Sequence, residues 1–446
     1  MASRQQHPTS GAAPAPARPR DAGGGPHSPW RDVARAGAAL ATGMGVGRFV
    51  YTPILPLMHA GAGLSTGAGA NLATANYVGY LAGALAGTFL PRLVRSPAVL
   101  RGALLALVAS LAAMPLTRST LVWLLLRLGA GMFSALIFVT AASSLLSRPR
   151  KYPAHLPGWA FGGVGAGIAL SGVLVLALRP VGDWRTAWWA AAALAAVLSV
   201  AAWGLRPESA TGAGVNAGAG AAPPGRRQGE PVPGRSRVRT RRWFGALFVS
   251  YTLEGVGYII AGTFLVAAVE QSSPGRLGSG AWVLVGLAAV PSSALWAGLG
   301  RHWSRPTLLT AALLVQAVGI ALPALSGGVA AALISATLFG GTFIGVSTLT
   351  LATGTHLRVP RAVALLTAGY SVGQILGPLV AAPLLHHGYR RALALAAVTV
   401  LVAALAALVL RVRFPHRMPV PDGDGPVHRP APDADVTPRA GEPAGS

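Results

Sequence analysis

The chain carries twelve runs of mainly apolar residues, each about as long as the 20 residues that a helix needs to cross a bilayer. Only 11% of the residues are charged, whereas a typical soluble domain has about 25%. A soluble fold with so few charges would lack a polar surface, so the runs predict an all-α membrane protein with twelve transmembrane helices. The runs lie approximately at 33–58, 70–91, 99–116, 119–146, 157–178, 184–205, 243–268, 280–300, 306–325, 329–353, 362–386 and 389–411.

Polar segments rich in Arg, Pro and Gly divide these runs into two sets of six. Segments of this composition cannot bury enough apolar surface to fold and are predicted to be disordered. The first 30 residues also lack the apolar core of a signal peptide. The predicted organisation is a disordered N-terminal tail (1–30), a six-helix bundle (31–206), a disordered loop (207–240), a second six-helix bundle (241–412) and a disordered C-terminal tail (413–446).

Basic residues orient the predicted helices, because loops that stay in the cytoplasm are enriched in Lys and Arg. With the N-terminus inside, the short inner loops hold ten such residues and the outer loops six. The central loop and the C-terminal tail add further arginines to the inner side. We therefore expect a multi-pass protein of a bacterial cytoplasmic membrane, with both termini and the central loop in the cytoplasm.

The two predicted bundles share glycines at a nearly constant spacing of 210 residues. A repeat of this kind indicates two related halves, an arrangement in which transporters place their substrate between the repeats near the membrane midplane. The matching pairs are Gly45 with Gly255, Gly47 with Gly257, Gly131 with Gly341, Gly163 with Gly373, and Gly167 with Gly377.

Several motifs carry a family resemblance. In helix 4, Arg127 is followed four residues later by Gly131, and basic residues follow helices 2 and 8: Arg92, Arg95, Arg301 and Arg305. Together with the twelve helices in two sets of six, this resembles the major facilitator superfamily. The segments 45–56, 76–80, 161–165 and 254–258 resemble its YbfB/YjiJ-like branch. The resemblance implies alternating access to a site between the halves, with the four arginines in a cytoplasmic-loop motif. The acidic residue usual in that loop is missing here.

Three charged residues lie well inside apolar runs, namely Arg48, Arg127 and Glu254. Each costs roughly 2.5–3.5 kcal/mol at the bilayer centre, so each is expected to face the protein interior. Arg48 and Glu254 lie on helices 1 and 7, which the repeat makes equivalent, and are predicted to face each other as a gating pair, a static pair or part of a substrate site. An arginine suits an anionic or zwitterionic substrate.

The remaining roles are assigned as follows. Glu254 is the candidate for proton coupling, because burial favours its protonated form and a nearby arginine its charged form. For Arg127 two readings stay open: a role in the cavity or proton path, as the resemblance implies, or hydrogen bonds to backbone carbonyls of a neighbouring helix. Other polar residues are candidates for substrate binding or gating, with interhelical packing as the alternative. They are Tyr51, Asn76, Tyr77, Tyr258 and Gln374.

These observations predict a secondary transporter of a small organic solute, coupled to protons, with symport or export undecided. The alternative is a transport-inactive membrane sensor or assembly factor with the same fold. The chain has no cysteine, only 12 acidic residues and no phosphate-binding loop with lysine, so neither an enzyme nor a bound cofactor or metal is expected. The net charge of +24 sits at the ends of apolar runs and in the tails, which argues against nucleic acid as a partner. The expected partners of the monomer are the solute, the lipid bilayer and protons.

Overall fold

The computed structural model describes residues 29–146, 156–206, 234–273, 275–359, 361–412 and 414. Within these residues the chain is helical and contains no strand. The α-helices are α1 (Pro29–Leu40), α2 (Tyr51–Ala62), α3 (Thr66–Phe89), α4 (Pro91–Val94), α5 (Pro97–Ala113), α6 (Thr120–Leu146), α7 (Leu156–Leu178), α8 (Trp184–Ala202), α9 (Gly234–Ser272), α10 (Leu277–Leu299), α11 (Arg305–Leu325), α12 (Val329–His356), α13 (Ala362–Leu385) and α14 (Tyr389–Leu408). A π-helical segment, Ala41–Val46, follows α1, and short 3₁₀ segments, Met114–Leu116 and Val409–Arg411, follow α5 and α14.

Ten segments of the described chain are helical, long and apolar enough to cross a membrane. The other two predicted runs correspond to the interrupted helix formed by α1 and α2, and to α3, which has 24 residues. Most of the predicted tails and most of the predicted central loop lie outside the described residues. Two boundaries differ, because α1 begins at Pro29, inside the segment 1–30 that was expected to be tail, and α9 begins at Gly234, inside the segment 207–240 that was expected to be loop.

Short polar residues at the helix starts explain where several helices begin. Ser65, Ser96 and Ser304 each accept a hydrogen bond from a backbone N–H in the first turn of the following helix, and Asp183 does the same for α8. Such side chains satisfy N–H groups that have no partner within the helix. A proline follows Ser96 at once and Ser304 after one residue, where its missing N–H costs nothing.

The first predicted membrane-spanning run is interrupted at its centre, between the π-helical segment and α2. The N–H groups of Gly47 and Phe49 reach back five residues, as in a π-helix, with N···O distances of 2.8 and 3.2 Å. Pro53 has no N–H to offer the Phe49 carbonyl, which accepts from Thr52 at 3.2 Å instead. The irregular backbone lies just before Pro53.

The helix pairs of the first half (29–206) recur in the second half (234–412). α3 packs on α6 as α10 packs on α12, α5 packs on α8 as α11 packs on α14, and the α1 region packs on α7 as α9 packs on α13. Between the halves, α7 packs on α10, α3 on α13 and α2 on α9.

Most of the repeated glycines lie at close helix contacts, the exception being Gly341, where a Cβ atom would meet nothing within 4 Å. A Cβ atom on Gly163 would overlap the carbonyl oxygen of Gly37, and one on Gly373 would overlap that of Thr252. Both contacts join the first and fifth helices of a half. The glycine repeat therefore reflects close helix packing, the simpler interpretation of small residues at helix interfaces.

Candidate functional site

All three charged residues predicted to avoid lipid are buried within the protein. The exposed fractions are 3% for Arg48, 1% for Arg127 and 0% for Glu254. The expectation that each would face the interior is confirmed. Their partners, however, differ from those the sequence suggested.

Arg48 lies in the interruption of the first helix and reaches across the interface between the halves. Its Nη2 donates a hydrogen bond to Oε1 of Gln374 on α13, at 2.6 Å. Its guanidinium carbon lies 4.3 Å from the ring centroid of Tyr80 and 4.9 Å from that of Tyr77, within the range of cation–π attraction. The buried Nε of Arg48 has no hydrogen-bond partner.

Glu254 does not pair with Arg48, so the predicted ion pair is wrong for this conformation. Its Oε1 accepts a hydrogen bond from Nε2 of Gln316 on α11 at 3.3 Å, and its Oε2 has no hydrogen-bond partner. At the repeat spacing of 210 residues, Arg48 corresponds to Tyr258, one helical turn beyond Glu254. Glu254 is bonded to a helix of its own half, whereas Arg48 is bonded to a helix of the other half.

Arg127 binds the backbone exposed by the interruption. Its Nη1 donates to the Gly47 carbonyl and its Nη2 to the Arg48 carbonyl, both at 3.2 Å. Asn76 in turn donates from Nδ2 to the Arg127 carbonyl at 3.0 Å. The structure therefore agrees with the second interpretation of Arg127, in which its side chain donates hydrogen bonds to backbone carbonyls of a neighbouring helix. The side chain positions Arg48 by bonding the Arg48 backbone.

The other predicted site residues divide into two groups. Tyr51 donates to the Gly69 carbonyl at 2.8 Å and, like Asn76, is bonded within the first half. Tyr77 is bonded across the interface, its hydroxyl lying 2.9 Å from Oγ1 of Thr263. Gln374 and Tyr258 also lie at the interface, so Arg48, Tyr77, Tyr258 and Gln374 come together there.

Tyr258 belongs to a ring stack that the sequence analysis missed, formed by Tyr251, Tyr258, Phe339, Phe343 and Tyr370. The centroids of Tyr251 and Tyr370 are 4.4 Å apart with the ring planes at 14°. Tyr258 lies 5.3 Å from Phe343 and 6.0 Å from Tyr370, with planes at 19° and 22°. The rings come from α9, α12 and α13, so their proximity depends on how these three helices pack.

The halves are also joined by polar contacts near the ends of α2 and α9, which we call the closed end. Thr52 donates to the Gly262 carbonyl at 2.6 Å, and the Tyr389 hydroxyl lies 2.8 Å from Nε2 of His59. Arg179 forms an ion pair with Glu270 and donates to the Gly275 carbonyl. Thr52 and Gly262 are 210 residues apart, so the α2–α9 contact relates equivalent positions of the repeat.

A cavity of about 420 Å³ opens beside the Arg179–Glu270 pair. It is lined by residues of α2, of the loop after α7 and of the segment around the end of α9, including Pro56, Arg179, Glu270 and Arg276. His59, Arg179 and Glu270 gave no sequence signal because the partner of each lies on a distant helix or loop.

The loop arginines lie at the opposite end of the molecule from the closed end. Arg92, Arg95, Arg301 and Arg305 are all exposed. Arg305 donates from Nη1 to the carbonyl of Ala352 near the end of α12, at 3.3 Å. These four residues are therefore separate from the interface site, as a loop motif requires.

Comparison with known proteins bears on the family resemblance. A search of curated proteins finds no match. The family model described as "Uncharacterised MFS-type transporter YbfB" matches residues 40–408, which include Arg48, Arg127, Glu254 and Gln374. Since this match covers most of the chain, the resemblance predicted from the motifs is confirmed, and the protein belongs to the YbfB-like family of MFS-type membrane transporters.

Proposed function

We propose that the protein is a secondary transporter that moves a small organic solute with an anionic group across a bacterial cytoplasmic membrane by alternating access, coupled to protons. In this proposal the chain spans the membrane twelve times, as two six-helix halves with both termini in the cytoplasm. The repeated helix pairing of the halves and the ten long apolar helices support it. The charge of the loops supports the orientation.

The observation that carries the proposal is the environment of Arg48. Its guanidinium is buried between the halves, and within the described residues no carboxylate lies at salt-bridge distance from it. A guanidinium stays protonated at any working pH, and a buried charge without a counter-charge is costly. An anionic group of the solute supplies that counter-charge and binds the unpartnered Nε together with Nη2 in a bidentate manner.

The closed end is the extracytoplasmic side in this proposal. The polar contacts described above between the halves lie from the level of Arg48 to this end. The whole outer part of α9, from Gly257 to Val269, is buried. Opening to the outside therefore requires these contacts to break, while the solute site at Arg48 stays between the moving halves.

Glu254 is proposed as the proton-coupling residue. It is the one carboxyl group that is fully buried among the described residues, and Gln316 can follow its protonation by donating to the ionised group or accepting from the neutral one. Its hydrogen-bond partner Gln316 carries no charge, and within the described residues no cation lies at salt-bridge distance from it, so no ion pair fixes the charge state of Glu254 during transport.

A binding experiment tests the Arg48 assignment. Purified protein in nanodiscs is screened by thermal unfolding against metabolite carboxylates and their uncharged amides. We expect carboxylates to bind. Arg48→Gln should lower their affinity by about 10- to 100-fold, the effect of losing hydrogen bonds between charged groups. The control Arg118→Gln removes an exposed loop arginine and should leave binding unchanged. Equal binding of a carboxylate by wild type and Arg48→Gln would show that the site lies elsewhere.

A further inference from the structure

The ring stack is more regular than the ring pairs of the described part of the first half. Tyr258 is nearly parallel to Phe339, Phe343 and Tyr370, with interplanar angles of 20°, 19° and 22°. Ring pairs within the first half lie at 31–84° instead. Parallel, offset rings present aligned faces and edges on which another planar ring can stack.

The stack lies directly beside Arg48. Phe49, the next residue, contacts both Tyr258 and Phe343, with centroid distances of 6.5 and 6.4 Å. On α13, Tyr370 is four residues before Gln374, the hydrogen-bond partner of Arg48, and positions four apart share a helix face. Tyr370 is also partly exposed, whereas the other four rings are buried. An anion bound at Arg48 therefore has the accessible edge of the stack next to it.

The polar atoms around the stack favour a ligand of one charge sign. Both Nε of Arg48 and Oε2 of Glu254 are buried without a hydrogen-bond partner. A carboxyl group can neutralise itself by taking up a proton, but a guanidinium cannot lose one. An organic cation would leave the charge of Arg48 uncompensated and add a second positive charge beside it. An anion leaves no uncompensated charge.

We infer that the transported solute is a planar aromatic carboxylate, with its carboxylate on Arg48 and its ring against the stack at Tyr370 and Tyr258. This inference rests on the proposed function and narrows its substrate class. The carboxylate displaces Gln374 from Nη2 and binds Nη2 and Nε together. The ring contributes offset stacking that a saturated ring of the same size cannot make.

Matched ligands separate the contribution of the ring from that of the charge. The probes are 2-naphthoate, its saturated analogue decahydro-2-naphthoate, and the uncharged 2-naphthamide, each titrated against the full chain in nanodiscs with thermal unfolding as the readout. In wild type, 2-naphthoate should bind about tenfold more tightly than the saturated acid, as expected for one or two stacking contacts. The amide should bind more weakly than either acid.

Two variants test whether the preference for the aromatic acid depends on the ring of Tyr370. Tyr370→Leu removes the accessible ring. The dissociation constants of the two acids should then differ by no more than about twofold, a difference near the noise of such titrations. Tyr370→Phe keeps the ring and should retain the tenfold preference. The comparison of ligands on wild type decides the question even where Tyr370→Leu does not fold.

The outcomes distinguish this inference from the proposed function. If wild type binds the two acids with equal affinity and Arg48→Gln binds neither, the inference of an aromatic solute is overturned. The anion site proposed at Arg48 then still stands. Binding of the two acids that is unaffected by Arg48→Gln overturns the proposed function as well. Absence of 2-naphthoate binding at millimolar concentration also overturns the inference.

Discussion

At the residue scale, two arginines at similar depth are stabilised in different ways. Arg127 donates to two backbone carbonyls that the interruption of the first helix leaves available. Arg48 has one amide oxygen and the faces of aromatic rings. The first arrangement bonds both terminal nitrogens of Arg127 to backbone carbonyls and suits a positioning residue, although its buried Nε, like that of Arg48, has no hydrogen-bond partner. The second is the arrangement on which the proposed solute site at Arg48 rests.

Glu254 provides a test at this scale, because its partner is an amide rather than an arginine. We expect Glu254→Gln to leave the melting temperature nearly unchanged, since the substitution keeps the shape and strands no buried cation. Solute flux into proteoliposomes should lose its dependence on an imposed proton gradient. The measurements are thermal unfolding in nanodiscs and initial rates of flux with and without the gradient.

A large loss of stability in Glu254→Gln would instead indicate an Arg48–Glu254 ion pair in another conformation. Breaking a buried pair by removing one partner costs about 3–5 kcal/mol. Flux that stays gradient-dependent in the variant would remove Glu254 from the coupling mechanism. Gln316→Glu, which adds a second carboxyl group at the same contact, serves as the matched change on the partner helix.

At the scale of helices, glycines set the distance between α3 and α6. A Cβ atom on Gly131 would overlap the carbonyl oxygen of Asn76, and one on Gly79 would overlap that of Leu128. This close approach lets Asn76 reach the Arg127 carbonyl. Helix packing and the position of Arg127 are therefore linked.

A pair of Gly-to-Ala substitutions tests this packing. Gly131→Ala should destabilise the protein by about 1–3 kcal/mol, the usual cost of overpacking. Gly102→Ala is the control, because a Cβ there has nothing within 4 Å. At such a position in a helix, alanine should stabilise by about 0.5–1 kcal/mol. Thermal unfolding measures both, and equal melting temperatures for the two variants would contradict the close approach.

At the scale of the whole molecule, the contacts at the closed end hold the two halves together. The Arg179–Glu270 pair joins the loop after α7 to the end of α9, and both side chains are mostly buried, with 15% and 13% exposed. His59 and Tyr389 make a second contact between the halves near the same end. Opening to this side requires both contacts to break together.

Thiol labelling measures this opening, and the chain has no native cysteine to interfere. The reporter is Ala267→Cys on α9, a residue that is 5% exposed. Adding Glu270→Gln should raise its labelling rate by a membrane-impermeant reagent about three- to tenfold, the effect of losing a partly buried ion pair. High salt should increase labelling of the parent chain in the same direction.

The control for this experiment is Arg276→Gln, which removes an exposed charge from the same cavity. It should leave the labelling rate unchanged. If Glu270→Gln labels no faster than this control, the ion pair does not hold the end closed.

Much of the fold was predictable because it depends on local properties of the chain. Long apolar runs become helices, since a backbone surrounded by lipid must satisfy its own hydrogen bonds. The burial of Arg48, Arg127 and Glu254 followed from the cost of placing a charge in hydrocarbon. The partners were harder to predict, and the predicted Arg48–Glu254 pair is absent because lying on equivalent helices does not specify the direction that each side chain faces.

The sequence by itself therefore determined the helices and which charges lie inside the protein, because both follow from the transfer energy of residues taken one at a time or in short runs, and its motifs indicated the family. Only the tertiary structure decided that Arg48 binds Gln374, that Arg127 binds the exposed carbonyls, and that five rings from three helices form one stack. Those contacts depend on the rotation and spacing of whole helices, which close packing at glycines far apart in the chain sets.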